Sequence, residues 1–298
     1  MIPMKSTTSQ LRHTLLACTV TALSCLATSH AAVVYNFDDL DLGNLTTSNT
    51  AGQDGWYRDA ALGGPDLQVV TAPSSSSTTN ALTVAYGNTS ERALRQFGSS
   101  FFDGTETNAQ ISFTFQKTAL LAQIQFALGN GSTPTSNING NSPSSFSPKL
   151  LLQNGNQFGI AAKTTSGAFA TSSLSTAQSL VSGNWYTVIM DIDFTANSGN
   201  GSASVSYIDL TNDITYSNIL TGVNLGLTNN PGTSQAEDWN QAWLRLDQIA
   251  TGGPAGTVVF TEFSINPVPE PTTAATVGAA GLILFALSRA RVRRQAKN

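Results

Sequence analysis

Between Trp185 and Phe194 the chain alternates without interruption: Tyr186, Val188, Met190, Ile192 and Phe194 are apolar and share one phase, while Thr187, Asp191 and Asp193 occupy the other. A period of two places one set on each face of a strand, so this segment predicts a strand with a buried and a solvated side. After the turn residues Asn197-Ser198-Gly199-Asn200-Gly201, the run Ser202 to Leu210 alternates again through Ala203, Val205 and Tyr207, as the second arm of a hairpin does. The same reading predicts strands at Val33 to Asp38, Leu67 to Thr71, Leu82 to Tyr86, Gln110 to Phe115, Leu120 to Leu128, Lys149 to Gln153, Phe158 to Lys163, Trp243 to Gln248 and Thr257 to Ile265. Almost no segment carries a 3.6-residue period. Short alternating runs separated by Gly, Asn, Ser and Pro clusters predict an all-β, antiparallel β-sandwich. Pro73 to Asn80 and Gly129 to Pro148 are too polar for a core and read as loops.

The two ends follow different rules. Lys5 and Arg12 precede the uncharged apolar run Leu15 to Ala27, and Ser29-His30-Ala31 then offers small residues at both positions a signal peptidase reads. This predicts an N-terminal signal helix, residues 1–31, removed after Ala31, with Ala32 as the neighbouring alternative. Cys18 falls too early in the apolar run to serve as a lipobox cysteine. At the far end Val268-Pro269-Glu270-Pro271 leads into an uncharged stretch, residues 272–288, at about 1.5 Å per helical residue just long enough to cross a hydrocarbon layer. Arg289, Arg291, Arg293, Arg294 and Lys297 follow in residues 289–298. Cations stay on the cytoplasmic side, so both ends predict that the middle, residues 32–267, lies beyond the membrane.

A Pro-Glu-Pro triplet, one marginal transmembrane helix and an Arg-rich end, in that order over residues 268–298, resemble the PEP-CTERM sorting signal. The resemblance implies export through the Sec machinery, recognition of Pro269, Glu270 and Pro271 by an exosortase-type membrane enzyme, and a Gram-negative bacterium that makes exopolysaccharide. It further implies an inner-membrane-anchored intermediate and then a place in the envelope surface or the extracellular matrix. An ordinary anchor that is never processed is the alternative.

Composition removes whole classes of chemistry from the 32–267 segment. Cys18, Cys25, His13 and His30 all precede it. Without imidazole or thiol, Ser-His-Asp and Cys-His catalysis, histidine-ligated zinc and disulfide bracing are excluded there. Seven Lys and Arg remain against seventeen Asp and Glu, a balance of −10. Scattered cations on an acidic body argue against nucleic acid and against an anionic polysaccharide held by charge alone, and favour neutral glycans or divalent cations.

Tyr35-Asn36-Phe37-Asp38-Asp39, Gly52-Gln53-Asp54-Gly55-Trp56, Asn184-Trp185-Tyr186 and Asp191-Ile192-Asp193 resemble segments of concanavalin A-like, LamG-type jelly-roll domains. The resemblance implies a jelly-roll fold and no particular activity. Glycosidases on such sheets flank the scissile bond with paired carboxylates from one strand. Asp191-Ile192-Asp193 is the nearest match and lacks both glutamates of that motif. Two aspartates on a solvated face are the simpler reading. Trp56, Trp239 and Trp243 are candidates for a sugar platform, because an indole offers a flat apolar face, although Trp is also a core residue. Asp38, Asp39 and Asp41 with Asp247 form a calcium candidate if the terminal strands pair; a solvated acidic edge is the alternative. No other cofactor is indicated. The expected function is therefore a non-catalytic surface or matrix protein associated with neutral extracellular polysaccharide. Its rivals are a glycan-cleaving enzyme using aspartates, and a structural surface protein with no discrete ligand.

Overall fold

The alternation of Trp185–Asp193 is realised as β12, whose burial pattern repeats with the same period of two from Tyr186 onward. β12 lies between β13 (Ser202–Asp209) and β7 (Asn108–Lys117), antiparallel to both. The computed structural model describes residues 32–46, 52–58, 67–74, 76–83, 90–102, 106–117, 122–129, 146–153, 157–163, 169–176, 180–227, 239–248 and 258–268. All belong to the unit His30–Val268. The Ala31 junction, Pro269-Glu270-Pro271, the 272–288 helix and the basic end lie outside the described residues. Among the described residues there is no α-helix, and no helix long and apolar enough to cross a membrane.

Two antiparallel sheets make up the described fold. The nine-stranded sheet runs β14 (Ile214–Asn224), β13, β12, β7, β16 (Val258–Val268), β5 (Asn80–Thr83), β4 (Gln68–Thr71) and β2 (Gly43–Asn44). Its ninth member, β1 (Val33–Asn36), pairs with β16 in the register Val33 to Ile265, so the first and last strands of the described residues are neighbours. The seven-stranded sheet runs β11 (Phe169–Thr176), β10 (Gln157–Lys163), β9 (Phe146–Gln153), β8 (Ala122–Gly129), β15 (Gln241–Gln248), β6 (Ser90–Gln96) and β3 (Trp56–Arg58).

The sheets meet through rings. Phe113 of β7 faces Phe126 of β8 at 6.0 Å between centroids, Phe126 lies 5.1 Å from Phe263 of β16, and Phe158 of β10 stacks on Tyr207 of β13 at 5.2 Å. Each is buried, and burying such a side chain contributes about 1.5–3 kcal/mol. Tyr35, Trp56, Asp54 and Arg95 join the sheets at another point. Trp56 Nε1 donates to Tyr35 Oη at 2.9 Å, Tyr35 Oη donates to Asp54 Oδ2 at 2.8 Å, and the Arg95 guanidinium donates to the same oxygen at 2.8 Å. The guanidinium also covers the Tyr35 and Phe97 rings at 4.5 and 4.2 Å, a planar cation on aromatic faces.

The edge strand β14 departs from ladder geometry. Its register with β13 shifts between Ala203 and Val205 and again between Val205 and Tyr207. Asn218 (φ 54°) and Gly222 (φ 63°) adopt the left-handed backbone such bulges need. The strand also packs against β11 and β10 of the opposite sheet.

Lys117 ends β7 in the same phase as Phe113 and Phe115 and is 2% exposed. Burial pushes its pKa down to about 8. Because the folded pKa lies below the unfolded one, the native state binds fewer protons than the unfolded chain between about pH 8 and 10.5. Stability therefore rises through that window, and the full penalty is present below it. Replacing Lys117 by Met should raise unfolding free energy at pH 7 by about 2–3 kcal/mol and abolish the rise between pH 8 and 10 relative to the parent. Urea titrations at stepped pH measure both effects.

Candidate functional site

Because Tyr186, Val188, Met190 and Ile192 are buried in the main core, the other phase of β12 (Trp185, Thr187, Ile189, Asp191 and Asp193) falls on the outer face of the nine-stranded sheet. Register extends that face across three strands. Thr187 stands opposite Thr114 and Thr114 opposite Glu262, Ile189 opposite Ser112 and Ser112 opposite Ser264, and Asp191 opposite Gln110 and Gln110 opposite Asn266. Side chains bond along these rows: Thr114 to Thr187 at 2.9 Å, Ser112 to Ser264 at 2.8 Å, and Gln110 Nε2 donating to Asp191 Oδ1 at 2.9 Å. The outward positions of β7, β12, β13 and β16 hold hydroxyls, amides, three carboxylates and the apolar Trp185, Ile189, Ile208 and Val259, with no Lys or Arg.

At one end of this face lies a groove of about 240 Å³, lined by Ser76, Ser77, Thr114, Trp185, Leu210 and Thr211. Trp185, itself 5% exposed, closes one side, packed on Ala72, Ala81 and Val259 with Val70 beside them, and reaches the groove with little of its ring surface. Its backbone is fixed on both sides: the amide donates to Thr211 Oγ1 at 2.9 Å and the carbonyl accepts from the Leu210 amide at 2.9 Å. The turn carrying Leu210 and Thr211 is held by Asp209, which accepts four hydrogen bonds, from the Thr211 and Asn212 amides and the Asn212 and Asn184 side chains. Burial works to raise the Asp209 pKa, but these donors outweigh it and hold it below the ordinary carboxylate value. Ser76 is placed by its amide donating to the Pro73 carbonyl at 2.8 Å and by a hydroxyl contact with Thr78 at 2.9 Å. Among the described residues no ionisable side chain lines the groove. Hydroxyls that both donate and accept, beside one indole and one exposed leucine, suit an uncharged polyhydroxylated ligand.

The three tryptophans singled out from the sequence are not brought together. Trp56 is fully buried with its N–H committed to Tyr35. Trp239, fully buried, packs edge-on to Phe102 at 5.9 Å and Phe194 at 6.1 Å. Trp243 lies in a separate cluster with Leu94 and Ala127 in the seven-stranded sheet, beneath the Lys149 ammonium at 4.9 Å, and is 1% exposed. Hydrophobic burial claims each ring, so none forms an open platform. The groove tryptophan is Trp185, placed from the sequence at a strand start and in the Asn184-Trp185-Tyr186 segment of the jelly-roll resemblance, not among the ligand candidates. Its phase, opposite to Tyr186, was the available signal.

The calcium candidate is not assembled either. The terminal strands do pair, but Asp247 sits in β15 of the other sheet, opposite Ser90 and Gln123. Asp38 Oδ1 accepts the Thr79 and Asn80 amides at 2.8 and 2.9 Å, pinning the start of β5. Asp41 pairs its amide with Gln53 Oε1 at 2.6 Å, and Asp39 is exposed. Among the described residues no three His, Cys, Asp or Glu converge as a metal site.

Asp191 and Asp193 share a face, but Asp193 caps the following turn. Its Oδ1 accepts from Thr195 Oγ1 at 2.7 Å and from the Thr195 and Ala196 amides at 2.8 and 3.1 Å. The Thr195 hydroxyl, followed by those amides, holds the carboxyl below its usual range, the opposite of what a glycosidase proton donor needs.

No family model matches the chain, and a search of curated proteins finds no match. Among solved structures, the chain is similar to the globular domain of T. cruzi calreticulin at 10% identity, with 87% of this chain and 100% of that one covered and a TM-score of 0.49. It is similar to peanut lectin with a bound 9mer peptide at 14% identity, with 80% and 99% covered and a TM-score of 0.47. Lectin I-B4 of Griffonia simplicifolia, in a metal-free form, gives 10% identity, 79% and 98% covered, and a TM-score of 0.46.

Titration of the Asp193 carboxyl by ¹³C NMR should give a midpoint below that of an ordinary aspartate. A midpoint above about 5 would restore it as a proton donor.

Proposed function

We propose that this chain is an exported, non-catalytic surface module of concanavalin A-like jelly-roll type, holding a neutral stretch of extracellular polysaccharide in the Trp185 groove. The observation that carries the reading is the groove's lining, uncharged and rich in hydroxyls beside an indole wall, on a sheet face without cations. A carboxylate pair that could divide acid and nucleophile roles is not formed by Asp191 and Asp193, since the latter is engaged as a turn cap.

Delivery rests on the ends of the sequence. The proposed route is Sec export, signal-peptidase cleavage after Ala31, and residence in the inner membrane through residues 272–288. Processing at Pro269-Glu270-Pro271 by an exosortase-type enzyme then releases the body to the envelope surface or matrix. The positive charge of residues 289–298 supports the orientation.

Affinity electrophoresis of the purified chain through gels containing dextran, laminarin or xylan tests the binding reading. Retardation by one of them, weakened about tenfold or more in Trp185→Ala, is expected, since losing one aromatic contact removes about 1–3 kcal/mol. Liberation of reducing ends would convert the module into an enzyme, and identical migration in every gel would leave it without a glycan. In cells, Glu270→Ala should block the final mass decrease while leaving export intact; a normal mature mass in that variant would dismiss the sorting step.

A further inference from the structure

The turn that follows β13 reads Asp209-Leu210-Thr211-Asn212-Asp213, and Leu210 is its one apolar residue. Half of its surface stays in water, at 50% exposed, so the turn gains little from it; yet Leu210 lines the groove. Its place is fixed from both sides. The Leu210 amide donates to the Trp185 carbonyl at 2.9 Å, Thr211 Oγ1 accepts the Trp185 amide at 2.9 Å, and the Asp209 carboxylate holds the Thr211 amide at 3.0 Å. Because Trp185 keeps only 5% of its own surface open, Leu210 is the lining residue that presents apolar surface to an incoming group.

The hydroxyls of the groove are already engaged within the protein. Thr114 Oγ1 shares a hydrogen bond with Thr187 at 2.9 Å, and Ser76 Oγ accepts the Thr78 amide at 3.1 Å and meets the Thr78 hydroxyl at 2.9 Å, while Thr211 Oγ1 holds Trp185. A hydroxyl has one donor and two acceptor positions, so each can still take a bond from a ligand. A leucine side chain can take none. A ligand hydroxyl pressed against Leu210 gives up water without replacement, whereas a methyl group there is removed from water at a gain. The volume, about 240 Å³ or the share of roughly eight waters, admits one pyranose ring with a small substituent.

Building on the reading of the groove as a neutral-glycan site, we infer that the sugar unit it holds carries a methyl-ended group, as a 6-deoxyhexose or an O-acetylated hexose does, and that Leu210 is the residue that selects it. Ser76, Thr114 and Thr211 bind ring hydroxyls while the methyl lies on Leu210. A wholly apolar ligand, such as an acyl chain, is a poorer match, since four of the six lining residues carry hydroxyls that it would strip of water.

Three matched probes test the inference: methyl α-D-glucopyranoside, its 6-deoxy analogue and its 6-O-acetyl derivative, titrated into the purified full-length chain with ¹³C-labelled leucine methyls. The Leu210 signal is assigned by its loss in Leu210→Met. At least one methyl-bearing probe should shift that signal and bind about tenfold more tightly than the parent glucoside, and which one does so separates the deoxy source from the acetyl source. Leu210→Ser should bring all three probes to the same affinity, and Leu210→Met should keep the preference. Equal binding of the three probes, or a preference that survives in Leu210→Ser, would overturn the inference and leave the groove a glycan site. So would failure of both methyl-bearing probes to bind while a dextran, laminarin or xylan gel retards the chain. If no probe binds and no gel retards it, the glycan reading of the groove falls, and the role of Leu210 with it.

Discussion

The aromatic layer between the two sheets is the interaction on which the rest depends. With no cysteine within residues 32–267 to brace the fold, the strands are held together by rings such as Phe113, Phe126, Phe158, Tyr207 and Phe263, and every one reaches the interior because its strand keeps a period of two. The same phase sets the outer faces. Once Tyr186 or Leu244 points inward, Trp185 and Arg245 have only the outside left to occupy. Core packing and surface chemistry are therefore one constraint seen from two sides.

Carboxylates that look like candidate catalysts or metal ligands serve instead to finish strands. Asp193 and Asp209 each gather backbone and side-chain donors at the ends of β12 and β13, and Asp38 does so at the start of β5. At Asp193 and Asp209 aspartate suits this role because its short side chain reaches amides two or three residues on, replacing ladder bonds the turn cannot make, whereas Asp38 reaches Thr79 and Asn80 across the fold. This accounts for their recurrence at turns without any ligand.

Strands with a strong inner phase, β7, β8, β10, β12, β13 and β16, were legible because apolar residues recur at every second position. β14 was not, since its bulges throw Tyr216, Ile219, Leu220 and Val223 out of phase. β6 reads Ser-Glu-Arg-Ala-Leu-Arg-Gln, which resembles a solvated turn until Ala93 meets the main core on one side and Leu94 meets Trp243 on the other. Pro148, taken as loop, lies inside β9 near the point where its register with β8 shifts, a place that tolerates a missing amide. The groove was half legible: the phase of Trp185 is local information, whereas Ser76, Ser77 and Thr211 arrive through pairings more than a hundred residues apart in places.

The bulges of β14 also bear on how this molecule behaves among copies of itself. A long, regular outermost strand offers an unbroken row of amides and carbonyls onto which a neighbour can zip, and such edges seed fibres. Here Asn218 and Gly222 twist that row at two points and turn the strand toward β11 and β10, so no extended stretch stays flat enough to template another chain. At this edge of the nine-stranded sheet, copies crowded at high local density meet no regular strand to extend.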